Sequence, residues 1–254
     1  MGISLLVALK ATALFTAFVY VRNSCRKWFS FLLLYTSLVS FLVSIASHDA
    51  VNLPLLMGKR SDGSFPLWSL IIFGPYLGFV RLYVFFKRLK SKEPAFNQVC
   101  DGVYVGAWPS SLDRLPPGDP AIIDCTCELP RHPLFNKNAY ICIPTWDTRS
   151  PRASDIESAV RWACRKRSQK KPVFIHCAFG HGRSVSVTCA ILVELGVAED
   201  WKQAEKLIKE QRPRIRMKRL HRKTLDEWSK FRLSSVKKDS DVSDVIMQDT
   251  TKTS

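Results

Sequence analysis

Three long apolar stretches dominate the first third of the chain. Residues 3–21, 29–46 and 67–86 are almost wholly apolar. A helix of about 20 residues crosses a hydrocarbon core of about 30 Å, and each stretch is close to that length. The pattern therefore predicts a region over 1–86 that contains three transmembrane helices.

Charged residues inside two of these spans qualify the prediction. Lys10 lies in the first span, and Arg81 lies in the third together with Pro75. Each cation must snorkel to an interface, pair with another group, or mark a span that is shorter than the apolar stretch. A cleaved signal peptide is the alternative for the first span. The opening MGISLLVAL has no basic residue ahead of its apolar run, which argues against cleavage.

Lys and Arg residues near the spans predict their orientation. The loop between the second and third spans has only Lys59 and Arg60, offset by Asp49 and Asp62. The other two flanks are more basic and contain Arg22, Arg26, Lys27, Lys87, Arg88, Lys90 and Lys92. By the positive-inside rule, the loop is placed outside, and the other flanks lie in the cytosol. We expect a multi-pass membrane protein whose larger, C-terminal part faces the cytosol.

Beyond a basic linker at 87–95, short β-branched runs alternate with segments of helical periodicity. The predicted strands are 102–106, 121–127, 139–143 and 172–175. The predicted helices are 154–168, 184–195, 201–211 and 220–231. Ser154 and Glu157 have the spacing of a capping box at the first of these helices. This order predicts an α/β domain over 96–232, with a central sheet flanked by helices. The polar stretch 233–254 is predicted to be a disordered tail.

Cysteine usage and charge narrow the class of protein. Most of the eight cysteines lie in the part predicted to face the reducing cytosol, so we expect free thiols. Their spacing is not that of a zinc site, and we predict neither a metal nor another cofactor. The formal charge is +16; with seven cations and two acids in residues 1–86, the remainder holds 31 cations against 20 acids. A basic domain held at a membrane is expected to meet anionic headgroups or phosphorylated substrates rather than nucleic acid.

One loop carries the pattern of a phosphate site. In HCAFGHGRS, residues 176–184, five residues separate a cysteine from an arginine, and two of the five are glycines. Five residues wrapped round a tetrahedral anion can aim successive backbone N–H groups at its oxygens, while glycine allows conformations that a Cβ resists. Arginine adds a planar, two-pronged grip on phosphate. We expect the substrate phosphate to be bound by Ala178, Phe179, Gly180, His181, Gly182 and Arg183.

Cys177 has the position of a nucleophile. It lies ahead of a helix N-terminus and among N–H donors, so the pKa of its thiol is expected well below the free value of about 8.5. A thiolate that attacks phosphorus forms a phosphocysteine, which water then hydrolyses. Ser184 can donate a hydrogen bond to the sulfur as it leaves. His176 is expected to order the loop by hydrogen bonding rather than to transfer a proton.

The loop resembles the signature of the cysteine-dependent phosphatase superfamily, which is His-Cys, five residues, Arg, and then Ser or Thr. Other segments resemble the dual-specificity branch of that superfamily: DGVYVGAWPSS, DCTCELP, IPTWDTRSP and RPRI. The resemblance covers about 96–232 and does not include the apolar spans. It implies a phosphatase that works through a phosphocysteine intermediate.

A general acid must protonate the leaving oxygen, because an unprotonated alkoxide departs slowly near neutral pH. Asp147 is the candidate, since it stands 30 residues before Cys177, where the acid loop of this family would lie. By the same resemblance, Asp147 would act as the base toward water in the second step. Asp155 is the alternative, but its place in the first turn of a predicted helix favours a role at the helix dipole.

Three further features stay open from the sequence. His181 stands where phosphoinositide-directed relatives often carry lysine, so it either meets a second phosphate or is a solvated loop residue. Cys125 or Cys127 either packs in the core or approaches Cys177 closely enough to form a protective disulfide. The basic run 212–223 is expected to be mostly a solvated helix face, with attraction to acidic lipid, recruitment of anionic substrate or a nucleic-acid patch as the alternatives.

Three functions fit these features. The first is a membrane-anchored phosphatase that hydrolyses phosphotyrosine, phosphoserine or phosphothreonine in proteins. The second is a lipid phosphatase that acts on a phosphoinositide or a phosphatidylglycerophosphate-like headgroup, favoured by the tether, the basic charge and His181. The third is a pseudophosphatase that binds phosphorylated partners without turnover, which the presence of Cys177, Arg183 and an acid disfavours.

Overall fold

Three apolar helices form the N-terminal part of the chain. The computed structural model describes residues 3–23 and 27–232, so Arg26 and the predicted tail at 233–254 lie outside the described residues. The helices are α1 (Ile3–Val21), α2 (Lys27–Ala46) and α3 (Leu67–Leu89). Within the described part of the chain, these three are long and apolar enough to cross a membrane. The three predicted apolar helices are confirmed, and their crossing of a membrane stays a prediction.

Small hydroxyl side chains bring α1 and α2 together. Ser37 Oγ of α2 donates to Ala11 O of α1 at 2.9 Å, and Ser44 Oγ donates to Ser4 O at 2.7 Å. Small residues let two helix backbones approach closely, and their hydroxyls find acceptors where no water is at hand. These hydrogen bonds therefore hold α1 and α2 together as a pair, although most of their residues are apolar.

A five-stranded sheet forms the centre of the remaining chain. Its strands are β1 (Phe96–Cys100), β2 (Val103–Ala107), β3 (Ala121–Asp124), β4 (Tyr140–Cys142) and β5 (Val173–Cys177). Across the sheet they are ordered β1-β2-β5-β3-β4, with β1 antiparallel and the others parallel. All five residues of the central strand β5 are buried. Since parallel strands end at one edge of a sheet, the ends of β2, β3 and β5 meet there.

Helices pack against this sheet around one hydrophobic core. They are α4 (Ala153–Ser168), α5 (Arg183–Glu194), α6 (Trp201–Gln211) and α7 (219–232). Ile156 of α4, Ile191 of α5 and Trp228 of α7 are buried in the same cluster as Ile175 of β5. The predicted α/β class is therefore confirmed, with a central sheet flanked by helices.

One strand is missed by the sequence pattern, and one predicted strand is too long. The sequence pattern does not indicate β1, because this edge strand is only half-buried and its residues do not alternate between apolar and polar. The strand predicted over 121–127 ends at Asp124. There the side chain of Asp124 accepts from Thr126 N at 2.8 Å, which turns the chain in the manner typical of Asp. Cys125 and Cys127 therefore follow the strand rather than lying in it.

The predicted capping box at α4 is also wrong. The helix begins at Ala153, and its N-cap residue, Arg152, makes no side-chain cap bond. Glu157 is engaged elsewhere, accepting from Trp228 Nε1 at 2.9 Å and from Arg161 Nε at 2.7 Å. A tertiary contact with α7 thus replaces the local bond that the spacing predicts.

The loop between α2 and α3 is docked into the α/β domain. Lys59 Nζ of this loop donates to Asp124 Oδ2 at 2.6 Å and to Thr126 O at 2.8 Å, and the Lys59 and Asp124 side chains are both buried. Arg149 also donates to Ser47 O at 2.6 Å. The prediction that this loop lies across the membrane from the α/β domain is therefore wrong. Charge counting treats Lys59 as a solvated cation, whereas it is neutralised by Asp124.

Helix α3 runs along the α/β domain instead of leading away from it. At its start, Ser69 Oγ donates to Met57 O of the docked loop at 2.5 Å. In its middle, the Tyr76 and Trp146 rings meet edge to face with centroids 6.3 Å apart. At its end, Arg88 donates to the backbone of the α/β domain. At 1.5 Å per residue, its 23 residues cover about 34 Å of that surface.

Candidate active site

The loop after β5 places Cys177 at the edge where the parallel strands end. Cys177 is the last residue of β5, and its neighbour across the β2–β5 ladder is Ala107. Gly180 N donates to Cys177 Sγ at 3.2 Å, and Ser184 Oγ donates to the same sulfur at 3.3 Å. The loop therefore curls round the sulfur and ends at α5, which begins at Arg183.

The two glycines of the loop serve different needs. Gly180 has a φ of +73°, and a Cβ there would lie 2.5 Å from the carbonyl carbon of Gly106, so both its conformation and its surroundings favour glycine. Gly182 has an ordinary negative φ. It is crowded instead by His221 Nε2, which would lie 3.0 Å from a Cβ. The predicted need for glycine thus has a conformational cause at Gly180 and a steric cause at Gly182.

Opposing effects set the pKa of the Cys177 thiol. Burial alone would raise it, because a thiolate loses its hydration. The positive charge of Arg183 and hydrogen bonds from Ser184 and the loop backbone favour the thiolate, and together they lower the pKa of Cys177 below its ordinary value of 9.0. This direction is the one the sequence predicts. A thiolate is the form that acts as a nucleophile.

A buried carboxylate holds Arg183 in place. Its guanidinium donates to both oxygens of Glu128, at 2.9 Å and 3.1 Å, and to Thr145 O at 2.8 Å. Arg183 and Glu128 are each almost fully buried. A two-pronged pair of this kind fixes the plane of the guanidinium. The DCTCELP segment contains Glu128, but sequence reasoning missed its role because nothing in the linear pattern shows that it faces Arg183.

Asp147 reaches the same site from the turn after β4. Its Oδ1 accepts from Arg183 at 3.1 Å, and its side chain is 41% exposed. The next residue, Thr148, has a φ of +67°, a strained conformation for a branched residue that is typical of functional turns. Asp155 lies in the first turn of α4 and borders a separate cleft beside Asn52. Asp147 is thus beside Arg183, and Asp155 is not.

His176 is buried behind the loop. Its Nε2 lies 3.9 Å from Asp124 Oδ2. Burial lowers the pKa of His176 to about 4, although the nearby carboxylate of Asp124 partly opposes this. The imidazole is therefore neutral at physiological pH. A neutral, buried ring agrees with the predicted structural role.

His181 is paired with an acid on the other side of the loop. Its Nε2 lies 2.7 Å from Glu93 Oε2, and its ring stacks on Phe179 with centroids 6.4 Å apart. Both His181 and Phe179 border a cavity of about 640 Å³ whose other lining residues are rich in cations, namely Lys87, Arg88, Lys90, Arg114, Arg212, Arg214 and Arg216. A second anionic group could be bound in this basic cavity, beside the loop.

Arg212 supports the loop after β5, and its burial contradicts part of the prediction for the basic run 212–223. It is 1% exposed, and it donates to Gly180 O and Phe179 O at 3.0 Å each. It also pairs with Glu93 at 3.3 Å. This first residue of the run 212–223 is therefore not part of a solvated helix face. The RPRI segment begins with Arg212, but its sequence does not show that this arginine is buried.

The two cysteines after β3 differ in their surroundings. Cys125 is buried in the same core cluster as Cys177, whereas Cys127 is buried in a cluster with residues of α2 and α3. Burial raises the pKa of both thiols well above the ordinary value. Both thiols therefore pack in the core, and of the two only Cys125 shares a cluster with Cys177. A protective disulfide stays a prediction.

The comparisons with known proteins concern the family and the fold of the α/β domain. Residues 119–231 match the sequence model of a family described as dual specificity phosphatase, catalytic domain. No curated protein sequence matches the chain. Among solved structures, the fold is similar to PTPMT1 in complex with PI(5)P, with a TM-score of 0.50, 19% identity, and coverage of 56% of this chain and 99% of that one. It is also similar to Tk-PTP in the active form, with a TM-score of 0.50, 22% identity, and coverage of 54% and 97%.

Proposed function

Because residues 119–231 match the catalytic-domain model of the dual-specificity phosphatase family, we propose that the chain hydrolyses phosphate monoesters through a phosphocysteine on Cys177. The observation that carries this proposal is the position of the Cys177 sulfur. It receives hydrogen bonds from Gly180 N at 3.2 Å and Ser184 Oγ at 3.3 Å, and the charge of Arg183 lowers its pKa despite burial. A stabilised thiolate at the centre of an N–H-lined loop is the arrangement that phosphoryl transfer to sulfur requires.

In the first step, the loop and Arg183 hold the phosphate while the Cys177 thiolate attacks phosphorus. The S–P bond forms, and the ester P–O bond breaks. Asp147 gives its proton to the leaving oxygen, so that an alcohol or a phenol departs. The contact between Asp147 and Arg183 at 3.1 Å keeps the acid next to the group that binds phosphate.

In the second step, water attacks the phosphocysteine. The Asp147 carboxylate takes a proton from the water, the S–P bond breaks, and inorganic phosphate is released. Ser184 Oγ, at 3.3 Å from the sulfur, donates a hydrogen bond that stabilises the departing thiolate. Arg183, oriented by Glu128, binds the phosphoryl oxygens in both steps.

The substrate has two candidate classes. The sequence favours phosphotyrosine, phosphoserine or phosphothreonine in proteins at the membrane. The second class is a lipid phosphate, such as a phosphoinositide or a phosphatidylglycerophosphate-like headgroup. The basic cavity beside Phe179 and His181 favours this second class, because anionic headgroups carry charge beyond the phosphate that is removed. We place the catalytic domain in the cytosol, where the thiols of the seven described cysteines would stay reduced.

Phosphate release by the full chain in lipid nanodiscs tests this proposal. The substrates are phosphotyrosine peptides and a panel of lipid phosphates in phosphatidylcholine. Cys177→Ser is expected to abolish release, whereas Cys164→Ser, at a half-buried position on α4, is expected to keep it. Retained turnover in Cys177→Ser would show that the proposed mechanism is wrong. Full binding of phosphorylated substrates without any release by the wild type would favour a pseudophosphatase.

A further inference from the structure

The apolar helices build a groove over the catalytic loop. A cavity of about 480 Å³ lies between α1 and α3. Its walls include Leu6 and Val7 from α1 and Phe79 and Val80 from α3. Its walls are mainly apolar, and we refer to it below as the α1–α3 groove.

Groups of the candidate active site form the floor of the α1–α3 groove. Ala178 and Phe179 of the phosphate loop line it, as do Asp147 and Glu128. Ala178 follows the nucleophile and is buried against Val84 of α3. The groove therefore adjoins both the proposed general acid and the loop that would hold phosphate.

The rim of the α1–α3 groove opens at the outer surface of the helices. Leu6 is 56% exposed and Phe79 is 51% exposed, whereas Ala178 on the floor is 2% exposed. That outer surface belongs to helices that are long and apolar enough to cross a membrane. The groove thus joins a lipid-compatible surface to the catalytic loop.

We propose that the α1–α3 groove holds the hydrocarbon chain of a lipid phosphate monoester while the phosphate is bound by the loop at Cys177. This inference rests on the proposed phosphatase activity and names its substrate class. A phosphopeptide in the groove would bury backbone N–H and C=O groups against apolar walls, and such groups cost free energy when they lack partners. A hydrocarbon chain gains free energy in the same place. Lys10, whose Nζ lies 4.0 Å from the Phe79 ring centroid, adds a cation that suits an anionic lipid.

A series of soluble n-alkyl phosphates tests the inference, with the full chain in nanodiscs. Ethyl to octyl phosphates share one leaving-group chemistry and differ in chain length alone. If the chain enters the groove, kcat/KM rises by up to about fourfold per added methylene until the groove is filled. A flat profile, or phosphopeptides hydrolysed with a higher kcat/KM than every alkyl and lipid phosphate, would overturn the inference.

Two matched substitutions on α3 test whether the dependence of kcat/KM on chain length arises in the α1–α3 groove. Val80→Trp fills the groove, whereas Ile72→Trp adds the same bulk at an exposed position outside it. Val80→Trp is expected to lose most of the chain-length dependence while it keeps hydrolysis of ethyl phosphate, and Ile72→Trp is expected to behave as the wild type. An unchanged chain-length profile in Val80→Trp contradicts the inference. Should Val80→Trp also lose ethyl phosphate hydrolysis, Leu6→Trp on the opposite wall gives the same test.

Binding separates failure of the inference from failure of the proposed activity. Alkyl phosphates are titrated against the Cys177→Ser chain, which cannot form the phosphocysteine. Affinity that rises with chain length supports the groove even if the wild type hydrolyses nothing, a result that would refute the phosphatase activity alone. Affinity that is independent of chain length overturns the groove, whatever the turnover.

Discussion

Replacing Lys59 by methionine should strongly destabilise the α/β domain, although Lys59 lies in a loop between two apolar helices. Methionine keeps much of the length of lysine and removes its charge. The Asp124 carboxylate, which is fully buried, would then have no cation beside it. It would keep its hydrogen bonds from Thr126 N and from Tyr140 Oη, each at 2.7 to 2.8 Å.

The size of the effect follows from the pKa of Asp124. Burial would raise this pKa, but the Lys59 ammonium above all, with further help from His176 and hydrogen bonds, lowers it from 3.8 to about 2. At about 1.36 kcal/mol per pKa unit, that difference corresponds to about 2–3 kcal/mol of folding free energy. Removing one partner of a buried ion pair typically costs about 3–5 kcal/mol. We expect Lys59→Met to lower the free energy of unfolding by about 3–5 kcal/mol.

Urea unfolding of the full chain in detergent micelles, followed by tryptophan fluorescence, measures this loss. Arg60→Met is the matched control, because Arg60 is the next residue and is exposed, so its loss should cost less than about 0.5 kcal/mol. Adding Asp124→Asn to Lys59→Met removes the stranded charge and should recover part of the stability. Equal stability of Lys59→Met and Arg60→Met would show that Lys59 does not neutralise Asp124 and that the loop is not docked there.

The same pair has a pH signature. The folded-state pKa of Asp124 is lower than its unfolded value, so the pair stabilises the fold above about pH 4. This contribution is lost as the pH falls from about 4 toward 2, because the unfolded chain then binds the proton more readily. In Lys59→Met this loss should disappear, because burial without the ammonium raises the folded-state pKa of Asp124 toward or above its unfolded value.

Three further predictions concern the candidate site. Asp147→Asn should slow release of an alkyl alcohol by about 10²- to 10⁴-fold and leave a good phenolic leaving group much less affected; equal slowing of both, in steady-state assays, would exclude Asp147 as the acid. Alkylation of Cys177 by iodoacetamide should have a pH midpoint below 9.0, and Arg183→Met should move that midpoint upward; an unmoved midpoint would show that Arg183 does not stabilise the thiolate. Arg212→Met should lower the free energy of unfolding by about 1–3 kcal/mol, because the carbonyls of Gly180 and Phe179 lose their donor and Glu93 is left with His181 as its hydrogen-bond partner; an unchanged urea midpoint would contradict that supporting role.

The loop at residues 176–184 is the part of the candidate site that the sequence predicts best. The spacing from Cys177 to Arg183 is local, and a loop of that length between a strand and a helix leaves little choice of geometry. Ser184 lies within the same short stretch, so its bond to the sulfur follows from position alone. Asp147 could be predicted only from the family resemblance, because its approach to Arg183 depends on the path of the chain after β4.

The buried charged residues whose partners are distant in the sequence could not be predicted, for a physical reason. Glu128 and Arg212 are charged residues that sit in the interior because each meets opposite charge or carbonyl groups there. Nothing in their own neighbourhood along the chain marks them as buried. Lys59 is the same case on a larger scale, since its partner Asp124 lies 65 residues away. The apolar helices were predictable from length and composition, whereas their packing across the active-site face was not.

The covalent intermediate is the most direct test of the account. Ser184→Ala removes the hydrogen bond to the leaving sulfur and should slow the second step, so the phosphocysteine accumulates. The variant is mixed with a phosphate monoester, quenched within the first turnover, digested and measured by mass spectrometry. We expect a peptide containing Cys177 that is heavier by one phosphoryl group, and no such peptide in Cys177→Ser. Steady release of phosphate without any adduct on Cys177 would contradict it.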